Sequence, residues 1–158
     1  METKQDFTIS LALVDLLPVL FFGAAMAVLG LRLGSFLFTA GAVICVLAGL
    51  GKVIWKIMIA AWGKDIRLLG AQLRFVMPVG FLLMIAGAFS ADRRTAAELL
   101  HKAVRMPSVM FFVLAACGIA GMILCAKKFN RYDVRGNWIE QVLNSAAQGC
   151  VLAGILLL

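Results

Sequence analysis

Long apolar runs alternate with short polar clusters along this chain, and the runs fall at about 7–31, 36–62, 71–90, 107–126 and 138–158. At ~1.5 Å of rise per residue each run is long enough, with some tilt, to cross a hydrocarbon core of about 30 Å. The pattern predicts an all-α polytopic membrane helix bundle with five transmembrane helices, forming a single domain over 1–158. The third run is the shortest, and to span fully it must borrow from Ala71 onward. That draws Gln72 and Arg74 into its first turn.

The only substantial polar connection is Asp92 to Met106, where Thr95-Ala96-Ala97-Glu98 fits a capping box. Ala96, Leu99, Leu100, Ala103 and Val104 form one apolar face opposite Lys102 and Arg105. A short interfacial helix between the third and fourth spans is therefore expected, lying on the membrane. The loop from Gly63 to Arg74 mixes charges with leucines and is expected to lie partly in the interface. The fourth span is expected to open at Pro107, a favoured first helical residue.

Helical spacing then assigns faces. In the first span Thr8, Ala12, Asp15, Val19, Gly23, Met26 and Gly30 share one side, so the only charge of that helix lies on a face of small residues that permits close approach. In the second, Gly41, Cys45, Ala48, Gly49, Lys52 and Lys56 lie within roughly a third of the circumference. Like charges at i, i+4 repel unless an anion answers them. Cys117, Gly118, Gly121 and Cys125 predict a packing face on the fourth span, and Ala146, Cys150 and Gly154 a packing edge on the fifth.

Composition agrees with lipid as the solvent, because 63% of the residues are hydrophobic and the mean hydropathy is +1.01. A net charge of +7 raises the question of nucleic acid, but the cations are divided among loops without interleaved aromatics or a recognition motif, so no nucleic-acid partner is expected. The lipid bilayer is the expected partner, together with a small polar or anionic ligand and a homo-oligomer or membrane partner. Four cysteines lie inside apolar runs with no C-x-x-C spacing, which gives no metal site and no cofactor. Gly51-Lys52 lacks the residues of a phosphate loop. Ala25-Met26-Ala27 imitates a signal-peptide cleavage site, but the acidic start and the length of the run predict a retained span.

With five crossings, Lys4, Lys64, Arg67, Arg74, Lys127, Lys128, Arg131 and Arg135 share one side, against Arg32, Arg93, Arg94, Lys102 and Arg105 on the other. The bias predicts a cytoplasmic N-terminus and an external C-terminus, in a bacterial plasma membrane. Counting from helix ends, Asp15 lies ~12 Å and Gln148 ~15 Å into their spans from one side, and Lys52 and Lys56 lie ~15 Å and ~9 Å from that same side. Arg74, Glu140, Gln141 and Asn144 complete a polar group in a single leaflet.

Ionised groups at such depth are costly unless paired or wetted, so Asp15 and Glu140 are expected to oppose Lys52 and Lys56, with Asn144 and Gln148 completing a network or lining a pocket. The same residues admit a plainer reading, in which the lysines reach the headgroups and Glu140 favours a helix N-terminus. The expected function is binding or translocation of a small polar or anionic solute from the cytoplasmic leaflet. A membrane enzyme acting on a lipid headgroup or isoprenoid and a structural subunit of a membrane complex are the alternatives.

Overall fold

A computed structural model of the chain describes residues 9–63, 66–128 and 134–158, and its regular elements are all helices. In chain order they are α1 (Ile9–Leu33), α2 (Phe36–Trp62), α3 (Arg67–Ala71), α4 (Leu73–Ser90), α5 (Arg93–Ala103), α6 (Ser108–Lys128) and α7 (Val134–Leu156). The expected start of the first span at residue 7, the loop residues Lys64 and Asp65, and Arg131 in the fourth connection lie outside the described residues.

Among the described residues four helices are long and apolar enough to cross a membrane: α1, α2, α4 and the stretch Ser108–Cys125 of α6. Their outward faces carry exposed aliphatic and aromatic side chains such as Leu20, Leu47, Leu82 and Leu124, as lipid contact requires. The chain is all-helical among the described residues, and its long apolar helices suggest a membrane protein. The helix α7 falls short of the same apolarity because Glu140, Gln141, Asn144, Ser145 and Gln148 crowd its first half.

The long helices pack side by side in the order α4, α2, α1, α7, α6. Antiparallel packing of α1 on α2 follows from the short turn at Gly34, whose positive φ of 60° suits glycine, and from Ser35, whose side chain accepts a hydrogen bond from Phe38 N. Gly23 meets Val46 and Gly49 meets Val19, so the expected small-residue face of α1 does look into the protein.

Boundaries differ from expectation where side chains reach across. Arg32 belongs to the last turn of α1, not to the loop, and its Nη1 donates to the Ile155 carbonyl at 2.9 Å. This joins the C-terminal ends of α1 and α7. The helix before the third span is already wound at Arg67, and Gln72 is the hinge residue between α3 and α4 with helical φ and ψ. Pro107 sits in a turn and α6 opens at Ser108.

The interfacial helix is present as α5, with no buried residue. Its cap is Asp92, not Thr95: the Asp92 carboxylate accepts from Thr95 N at 3.0 Å and from Thr95 Oγ1 at 3.2 Å. A carboxylate three residues before Thr95 outcompetes the hydroxyl because it accepts two bonds at once and complements the helix dipole.

Two expected packing edges are met in part, since Gly118 and Gly121 of α6 and Gly154 of α7 do pack on a neighbour while Cys117 and Ala146 do not. On α6 it is Gly118 that meets Ala147 and Gly121 that meets Leu143, while Cys117 is exposed. On α7 the edge is Leu143, Ala147 and Gly154, the last against the Phe112 ring, while Ala146 is exposed. The i, i+4 spacing was correct, but one residue of rotation, roughly 100°, changes which neighbour is met.

Candidate functional site

The polar residues converge where α1, α2 and α7 lie side by side. Asp15 comes from the inward face of α1 and is 3% exposed. From α2, one turn apart, come Lys56 and Lys52. Lys56 Nζ pairs directly with Asp15 Oδ2, and Lys52 Nζ stands 3.8 Å from the same oxygen. The burial of the two ammonium groups differs sharply: the side chain of Lys56 is 6% exposed and that of Lys52 is 37%.

The carboxylate is therefore the anion that lets two like charges coexist on one face of α2. Lys56 neutralises it in a dry setting, and Lys52 is the outer, partly accessible cation. Glu140, half-buried on α7, lies within electrostatic reach of Lys56.

The register of α7 follows from its contacts. Gly149 meets Phe21 of α1 and the Ile155 carbonyl takes Arg32 of α1, so α7 runs parallel to α1 with its early turns level with Asp15. At roughly 100° per residue, Gln141, Ser145 and Gln148 fall between those two contact directions, on the α1 face. Leu143, Ala147 and Gly154 fall on the opposite face against α6. Glu140 and Asn144 lie on the flank between the two faces.

Gln141 is buried, 7% exposed, and neither its Oε1 nor the buried Ser145 Oγ has a hydrogen-bond partner among the described residues. Buried polar atoms are nearly always partnered by protein or water. Gln148 and Asn144 are half-buried.

Asp15, Lys52 and Lys56 are thus brought into contact, and Glu140, Gln141, Asn144 and Gln148 occupy the same level of the neighbouring helix. Arg74 is exposed in the first turn of α4, on the far side of α2 from α1, and is not drawn into the contact group. One participant was not singled out from sequence as a site residue. Ser145 was legible from its i+4 spacing to Gln141.

Chemically, the group offers an accessible ammonium, a neutralised ion pair, an unpartnered amide carbonyl and an unpartnered hydroxyl. Among the described residues no three His, Cys, Asp or Glu side chains gather as metal ligands. No protein-family model matches the chain, and comparison with curated proteins and with solved structures gives no match.

Proposed function

We propose that this chain is a five-span membrane protein that binds, and in translocation passes on, a small anionic solute at the α1–α2–α7 group. The observation that carries this reading is the unpartnered pair Gln141 and Ser145, buried at the level of a contact group in which two ammonium groups face one carboxylate. An anion on Lys52 answers the second cation, and a donor on the same solute answers Gln141 Oε1.

The fifth crossing is α7. Its 23 residues, a length of about 34 Å, run parallel to α1, with the early turns level with Asp15 and the last turn at the Arg32 contact. A half-polar helix is tolerated in the membrane when its polar face looks into protein, and here that face looks at α1. The charge bias of the loops supports a cytoplasmic N-terminus, which would put the group in the cytoplasmic leaflet of a bacterial plasma membrane.

The test is thermal unfolding of the purified full chain with panels of small carboxylates, phosphates and uncharged polar solutes. At saturating anion the parent is expected to gain several degrees, because ligand bound only by the folded state stabilises it. Lys52→Met is expected to lose that gain with its own unfolding temperature unchanged. If no anion stabilises the parent over uncharged solutes, the proposal fails. The direct, buried Lys56–Asp15 pair favours a second reading, a lock between helices without a ligand, and that failure would leave it standing.

A further inference from the structure

We propose that α5 is a docking surface for anionic lipid headgroups, fixed at the membrane surface on the side away from the Asp15 group. Two residues separate α4 from α5 and four separate α5 from α6. Since α4 and α6 both have the length and apolarity of membrane spans, these tethers hold α5 at the depth of the headgroups.

The helix has three sides. Ala96, Leu99 and Ala103 are half-buried on the side turned towards the body of the protein, where α5 packs on α1 and α6. Beside them, Leu100 and Val104 form an apolar edge that the protein leaves uncovered, at 68% and 62% exposure. The third side carries Arg94, His101 and Lys102, with Arg105 in the turn that follows, all exposed, and Glu98 as the acid among them.

Asp92 is engaged as the helix cap and offers the cations nothing. An apolar edge adjoining a basic edge on a helix at headgroup depth matches the boundary of a bilayer, aliphatic below and phosphate beside it. The occupant is lipid because Leu100 and Val104 are exposed apolar side chains on a segment tethered between two spans, and it is anionic lipid because the basic edge needs phosphate in excess over choline.

The test uses the full chain in nanodiscs of phosphatidylcholine alone and of phosphatidylcholine with phosphatidylglycerol. Trypsin cleavage after Lys102 and Arg105, followed by mass spectrometry, is expected to slow about fivefold or more in the anionic discs, since each cation near an anionic surface contributes a factor of about five. High salt should restore the rate. Equal rates in the two lipids would overturn the proposal, and they are the outcome expected of a surface built for another protein.

A second measurement counts phosphatidylglycerol retained per chain after delipidation. Arg94→Gln with Arg105→Gln removes two cations and should reduce it about 25-fold relative to the parent, and an unchanged ratio refutes the assignment. Both side chains are exposed, and if the double variant fails to fold, the two-lipid comparison on the parent decides alone.

Discussion

The two faces that α2 turns to its neighbours are opposites in chemistry. Towards α4 it presents Gly41 and Cys45, and the helices come so close that a Cβ on Gly41 would stand 2.6 Å from the Gly80 carbonyl oxygen, while one on Gly87 would overlap the Phe38 backbone. Towards α1 its later turns present Lys56 and Lys52 to a single buried carboxylate. The first interface is held by backbone proximity and dispersion, which in a membrane replace the hydrophobic effect as the cause of association. The second is held by an ion pair that has value only because each partner answers the other's charge. One helix thus combines a contact that tolerates no added volume with one that tolerates no lost charge.

Gly87→Leu is the largest expected break, because the colliding atoms belong to the Phe38 backbone and cannot rotate away. The folded, monodisperse species should disappear from size-exclusion chromatography. A normal elution profile and unfolding temperature would show that α2 and α4 do not need this proximity.

Next comes Asp15→Asn, which leaves Lys56 buried without its partner and should cost about 3–5 kcal/mol in a denaturation assay. The double variant Asp15→Asn, Lys56→Met should recover much of that loss, since a missing pair is cheaper than half of one. If the double variant is as unstable as the sum of the two single changes, the coupling between α1 and α2 does not run through this pair.

The smallest effect belongs to Lys52→Met. More than a third of its side chain is exposed and it stands 3.8 Å from an oxygen already paired, so its removal should change stability by no more than about 1 kcal/mol. A loss comparable to that of Asp15→Asn would make Lys52 part of the lock and remove the ground for assigning it to a solute.

Much of this arrangement was legible in the chain. The apolar runs announced helices because lipid leaves a spanning backbone few ways to satisfy its hydrogen bonds. Asp15 announced an inward face on α1 because a lone acid at that depth must be answered, and the Lys52–Lys56 pair supplied two answers one turn apart. Which of the adjacent small residues packs was not legible, since Ala146 and Ala147 are equally small and only the neighbour's shape selects between them. The Asp92 cap was hidden for a related reason, because two overlapping cap signals compete and local geometry picks the winner.

The half-polar helix α7 marks the division between sequence and fold most clearly. Its sequence by itself determined that Glu140, Gln141, Asn144, Ser145 and Gln148 sit together near one end, because helical rise and spacing are local properties. Which of them meet Asp15, which meet α6 and which are left without partners was decided only when α7 was placed between α1 and α6, with Phe21 on Gly149 and Arg32 on the Ile155 carbonyl. Periodicity places side chains around their own axis. The direction of the neighbours is a property of the whole packed set, and that direction turned a list of polar residues into a buried pair, an accessible cation and two unanswered polar atoms.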